Sequence, residues 1–191
     1  MVRCMIGKSV NNCNLGGETM KKRILAVAMM LVLALGMVAC GKDGKELKSE
    51  GELIYTLPEG FTYDEASACY YAPGYPEELA NINYLSQKND GSFDTLTKAN
   101  IEDALEQSLS QGFGTDIDID IVKWEETEVQ GYEAVLYACE YEYMGVEIGQ
   151  QQICINGKDN FHYLTFTDYA DSDYADDFEE CIKGLKFSGV N

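Results

Sequence analysis

One histidine, His162, stands in a chain of 191 residues, and no arginine follows Arg23. The first scarcity weighs against a Cys/His metal centre, which draws on several imidazoles or closely spaced thiolates. It also forces any histidine-based hydrolase scheme through His162. The second removes the planar fork that grips phosphate in nucleic-acid recognition. No G-x-S-x-G elbow, glycine-rich phosphate loop or H-E-x-x-H pattern is present. Ser67 and Cys69, the nucleophiles considered, have no motif around them. No apolar run reaches the roughly 20 residues that cross a hydrocarbon core.

The apolar run that does occur is shorter and has a leader's grammar. Lys21, Lys22 and Arg23 precede Ile24 to Val38, and Met37-Val38-Ala39-Cys40 closes the stretch. This order reads as a lipoprotein signal peptide over 20–39, with Cys40 the acylated residue. More than one acyl chain on Cys40, palmitate among them, would provide the two signals that stable anchoring needs. Residues 1–19 read as an upstream extension, because Gly16-Gly17-Glu18 can be encoded by a purine-rich stretch resembling a ribosome-binding site just before Met20. Gly41 to Gly51 is polar and lacks periodicity, so 40–51 is expected to be a flexible tether. Residues 52–191 make a single domain. The expected address is the extracytoplasmic face of a cell membrane.

From Cys40 onward there are 9 lysines against 32 carboxylates, a net charge of −23. That balance repels nucleic acid and anionic headgroups alike, leaving membrane attachment to the acyl chains. The partners expected are the membrane, through Cys40, and an envelope protein or small ligand. No cofactor is expected. Four further cysteines, Cys69, Cys139, Cys154 and Cys181, have no C-x-x-C spacing and read as buried small side chains.

The domain alternates periods. Strands are expected at 53–57, 67–71 and 79–87, with breaks at Pro58-Glu59-Gly60 and Pro73-Gly74-Tyr75-Pro76. Over 96–111, Ile101, Ala104, Leu105, Ser108 and Leu109 recur at helical spacing, and Gly112 and Gly114 stop the helix. Asp116-Ile117-Asp118-Ile119-Asp120-Ile121 has strict period two and reads as a strand continuing to Val129. A meander follows, with strands at 132–143 and 146–156 around a Met144-Gly145 turn, then one at 161–167. That turn pairs Cys139 with Gln150 and puts Cys154 four positions out of register, so no Cys139–Cys154 disulfide is expected. Ala134, Leu136 and Ala138 alternate with Val135, Tyr137 and Cys139, so both faces of that strand need cover. A closing helix places Tyr174, Phe178, Cys181, Ile182 and Leu185 on one face, with Asp171, Ser172 and Asp173 at its start. The fold expected is α+β: an antiparallel sheet of about six to seven strands covered by two helices. Whether the 96–111 helix takes the second face or shares the first is left open.

Pro58-Glu59-Gly60-Phe61, Gly131-Tyr132-Glu133-Ala134, the Gly145 hairpin with Gln151 and Gln152, Tyr163-Leu164-Thr165-Phe166-Thr167 and Leu185-Lys186-Phe187 come in a familiar order. Over roughly 52–187 the chain resembles the PsbP-like α/β/α sandwich domains of small bacterial lipoproteins. The resemblance implies a binding or assembly module and transfers no site residue.

Three functional readings follow. The leading one is a lipid-anchored interaction or ligand-binding module without catalysis, for which an acidic surface with an exposed apolar groove would speak. The second is an extracytoplasmic hydrolase using carboxylates, which needs a pocket holding two close ones. The third is a calcium-stabilised structural envelope protein. Asp116, Asp118 and Asp120 are its weak metal candidates, since calcium wants roughly six to eight oxygens and strand neighbours on one face stand about 6.5–7 Å apart. The cluster Asp168, Asp171, Asp173, Asp176 and Asp177 lacks calcium-loop spacing. His162, sharing a strand face with Leu164 and Phe166, reads as a core-edge residue. Tyr70, Tyr71, Tyr75, Tyr141 and Tyr143 are candidates for an aromatic platform, with Tyr141 and Tyr143 expected to be partly buried.

Overall fold

A computed structural model describes residues 53–169 and 174–188, together with the backbone of Leu47 and Lys48. Residues 1–39, Cys40 and the proposed cap Asp171, Ser172 and Asp173 lie outside the described residues, as does most of the expected tether.

Seven strands form one antiparallel sheet. They are β3 (Thr62–Asp64), β4 (Cys69–Tyr71), β5 (Asn81–Lys88), β6 (Asp120–Val129), β7 (Tyr132–Tyr143), β8 (Val146–Asn156) and β9 (Asn160–Tyr169), in the spatial order β3-β4-β5-β9-β8-β7-β6. A second sheet of three short strands joins β1 (Leu47–Lys48), β2 (Leu53–Tyr55) and β10 (Lys186–Phe187). The helices are α1 (Lys98–Phe113) and α2 (Ala175–Lys183).

The expected hairpin is present in its expected register: Tyr143 pairs with Val146 and Cys139 with Gln150. Met144 and Gly145 both have positive φ, 54° and 80°, the two-residue turn whose twist matches the flanking strands. Gln130 and Gly131 repeat the device between β6 and β7.

The sheet has two buried faces. On one, α1 lays Ile101, Ala104, Leu105 and Leu109 over Val135, Tyr137, Cys139, Cys154, Phe161 and Tyr163. On the other, Phe178, Cys181 and Leu185 from the C-terminal segment join Leu53, Tyr55 and Phe187 of the small sheet over Leu136, Ile153, Ile155, Leu164 and Phe166. The helices therefore cover opposite faces, which answers the question the sequence left open. Thr97 caps α1, its hydroxyl accepting from the Asn100 amide at 3.3 Å, and Gly114 ends it in the left-handed region.

Three segments depart from expectation. Asp116 to Ile119 is extended but not part of the sheet: the Ile117 amide donates to Ser110 Oγ (2.8 Å) and the Ile119 amide to Glu106 Oε1 (3.4 Å), so helix side chains replace a strand neighbour. The alternation is real, since Ile117, Ile119 and Ile121 are buried against α1. Next, the closing helix stops at Lys183, and Lys186 and Phe187 turn into a strand paired with Ile54 and Leu53. Finally, β3 was not anticipated, nor was β1, which falls in the stretch expected to be a tether.

Phe178 is 1% exposed and meets Phe61, Phe166 and Tyr174. Phe178→Ala is expected to cost about 3–5 kcal/mol of unfolding free energy, which a urea titration measures directly. A loss under about 1 kcal/mol would mean that α2 does not seal this face.

Candidate functional site

The one imidazole is buried rather than presented. His162 is 2% exposed, its Nδ1 lies 2.9 Å from the Tyr84 hydroxyl, and its ring meets the edge of Phe187. Gly157 makes room for it: a Cβ at 157 would stand 2.7 Å from His162 Nε2. Burial lowers the imidazole's pKa to about 4, so it is neutral near pH 7.

The candidate nucleophiles are engaged elsewhere. Ser67 Oγ donates to Asp64 Oδ2 at 2.7 Å inside the β3–β4 turn. Cys69 contacts Asn83 and the Ser67 carbonyl. The β4–β5–β9 register places Cys69 on the α1 face of the sheet and His162 on the α2 face, with the backbone layer between them. All four described cysteines are buried free thiols. Burial pushes Cys139 up to about 12 and Cys181 to about 11, and it raises Cys69 and Cys154 as well, so the nucleophilic thiolate is suppressed.

The aspartate comb dissolves as a unit. Asp116 and Asp118 are exposed on the extended segment, and only Asp120 belongs to the sheet, where it pairs with Glu140. Among the described residues no three His, Cys, Asp or Glu side chains gather as an ion site. The tyrosines separate too. Tyr63 and Tyr70 pack at 4.9 Å and Tyr71 stacks on Tyr75 at 4.1 Å near the β3 edge, while Tyr141 is buried and Tyr143 stacks on Phe113.

Sequence reasoning missed a polar ladder under α1. Tyr137, Gln152 and Thr165 stand side by side across three strands and are linked through Gln152, while Gln150 Nε2 donates to Thr167 Oγ1 at 3.1 Å. All five side chains are buried. Gln150 Oε1 and Ser108 Oγ have no hydrogen-bond partner. The available signal was the triplet Gln150-Gln151-Gln152 directly before the apolar run Ile153-Cys154-Ile155.

Among the described residues, concavities on the α2 face include two of similar size. The first, about 470 Å³, lies at the hairpin end and gathers Glu140, Glu142, Glu147 and Asp168 around Gly149. Glu142 and Glu147 face one another across the hairpin, and both are exposed. The second is a groove of about 480 Å³ between β6 and α2. Leu136, Ile153 and Leu185 give it an apolar floor, and Lys123, Glu125, Glu179 and Lys183 stand on its rim. The rim charges are tied in pairs, Lys123 to Glu125 at 3.5 Å and Lys183 to Glu179 at 2.9 Å.

The architecture is a PsbP-like α+β sandwich, as the structural comparison shows. Cyanobacterial PsbP from Synechocystis sp. PCC 6803 superposes with a TM-score of 0.57 at 10% identity, over 78% of this chain and 97% of that one. A Bacteroides thetaiotaomicron protein aligns at 0.46 and 15% identity over 76% of this chain and 49% of its own. LpqN of Mycobacterium tuberculosis, involved in cell envelope biogenesis, aligns at 0.38 and 11% identity over 76% and 86%. No family model matches the chain, and no curated protein matches it by sequence. The likeness to PsbP is one of fold.

Two measurements check the buried groups. In the unfolded chain the imidazole titrates near 6.5, and in the fold near 4. As pH falls through that interval only the unfolded state gains the proton, so the fold loses up to about 3 kcal/mol. Well above pH 6.5 the group adds no slope. His162→Gln removes this titration, so the stability gap between parent and variant is expected to shrink by that order from neutral pH to pH 4, other carboxylate effects being shared. A constant gap contradicts the assignment. Separately, the four domain thiols are expected to resist iodoacetamide at mildly alkaline pH and to react once urea unfolds the chain. Rapid native labelling of Cys139 or Cys154, read by peptide mass spectrometry, contradicts it.

Proposed function

We propose that this chain is a lipid-anchored, extracytoplasmic interaction or ligand-binding module without catalytic chemistry of its own. The observation that supports it best is the groove between β6 and α2, an apolar floor with a charged rim on an otherwise acidic domain. Such a surface suits reversible contact with an envelope protein or small ligand. The imidazole and the thiols are turned inward: the imidazole is neutral and buried, and the thiols are protonated. The PsbP-like fold accords with this reading and supplies no site of its own. In the same reading, acylation of Cys40 holds the domain at the membrane, and the net charge of −23 spaces it from anionic surfaces.

The anchor is tested by labelling cells that express the full chain with radioactive palmitate. The label is expected on the parent and absent from Cys40→Ser, which moves to the soluble fraction. An unlabelled parent, or a Cys40→Ser chain that still sediments with membranes, sinks the reading. The groove is tested with a photo-crosslinking residue at Thr127, which is expected to capture an adduct that the same probe at Asp103 does not.

A further inference from the structure

We propose that the open edge of β6, with the groove beside it, accepts an extended lysine-bearing segment of a partner protein as an eighth strand of the sheet. This deepens the interaction-module reading and rests on it.

The sheet ends very differently on its two sides. At one edge lies β3, with three residues; at the other lies β6, with ten, paired only to β7 among the described residues. A strand bonded on one side presents a row of backbone N–H and C=O groups on the other, a template for strand addition. Ten residues give that template a length comparable to the strands already in the sheet. The two faces of β6 differ. Lys123, Glu125 and Thr127 stand on the α2 side, where they form one wall of the groove, and Glu126 and Glu128 stand on the α1 side. Side chains of an added strand alternate between faces, so one set would stand beside the groove wall and the other beside Glu126 and Glu128. Backbone bonds would supply affinity, and Glu126 and Glu128 would select lysines on the α1 side.

Charge selects the occupant. Along β6 the carboxylates of Asp120, Glu125, Glu126 and Glu128 outnumber the single ammonium of Lys123, which is already held by Glu125. A second copy of β6 would set carboxylates against carboxylates. The register shift between Ile121 and Lys123 leaves Val122 unpaired and 51% exposed, a bulge that further discourages self-pairing. The bulge confines any added strand to 123–129, and the carboxylates that repel an identical edge favour a cationic one. The partner is therefore an extended segment alternating aliphatic and lysine side chains.

Hydrogen exchange read by mass spectrometry tests this on the full chain in mild detergent. The probe is a capped octapeptide alternating Lys and Val, at millimolar concentration and low salt. Amides within 120–129 are expected to exchange roughly tenfold more slowly with the probe. The effect is expected to fail for a Glu-Val octapeptide, for one of two probes N-methylated at all Val or all Lys, and for the Glu126→Lys, Glu128→Lys double variant. Unchanged exchange at 120–129 overturns the proposal, as does equal protection by both methylated probes. Protection without probe of the β6 amides that face away from β7 overturns it too, and its growth with protein concentration would assign the edge to a second copy. Protection confined to 140–149 removes the edge while leaving the interaction-module reading intact. Failure of the Thr127 crosslink together with silence at every segment removes both.

Discussion

The constraint on which this fold depends is that its middle strands are apolar on both sides. In β7, Ala134 and Leu136 face one core while Val135 and Tyr137 face the other; β8 and β9 repeat the pattern with Ile153 against Cys154 and Leu164 against Tyr163. A Val, Leu or Ile side chain among them left in water forgoes about 1.5–3 kcal/mol. A single-layer sheet cannot recover that on both faces, so the chain must supply two covers. It does so unevenly. One face receives a 16-residue helix and the extended Asp116–Ile119 segment; the other receives a nine-residue helix and a patch of short strands assembled from both ends of the domain.

What could be read in advance follows from how local each signal is. The Met144-Gly145 turn, the β7–β8 register and α1 all rest on residues close in sequence, and positive φ or period alone decides them. The small sheet could not be read this way. Residues 186 and 187 become a strand because Ile54 and Leu53, more than a hundred positions earlier, offer them backbone partners. The aspartate comb shows the reverse error. Its alternation reports an extended backbone with one buried side, and the helix side chains of Ser110 and Glu106 satisfy that backbone where a neighbouring strand was expected. The groove was least legible, since its wall and floor are drawn from β6, β7, β8 and α2. Only its general character, an apolar opening on an acidic domain, could be anticipated.

The imidazole and the thiols point inward and charge points outward. The interior of the α1 layer contains a hydrogen-bonded ladder through Gln152, and the α2 layer contains a neutral imidazole beside Tyr84. Buried polar groups of this sort fix strand register, because a one-residue slip would strand them against apolar neighbours. Their cost shows at Gln150 Oε1 and Ser108 Oγ, which sit in the same layer without partners. The outer surface, by contrast, is dominated by carboxylates with few lysines among them.

The groove has a geometric cause in the size of the cover. Seven strands at about 4.8 Å make a sheet roughly 34 Å wide. A helix covers a band of about 10 Å and three strands about 14 Å, leaving roughly two strands' width uncovered on the α2 face. The C-terminal segment spends its length reaching back to pair with Leu53 and Ile54, and it meets the end of β6, where Phe187 bonds Gln130, while the middle of that strand lies beside the groove. The shortfall therefore falls on the β6–β7 side, where Leu136 and Ile153 form a floor that α2 overhangs from one wall only. Extending α2 would close the opening, but Gly184 ends the helix and Phe187 is committed to the interior, its amide bonded to Gln130 Oε1 at 2.6 Å. The same commitment that completes the second core thus leaves the longest strand edge and the apolar groove side by side.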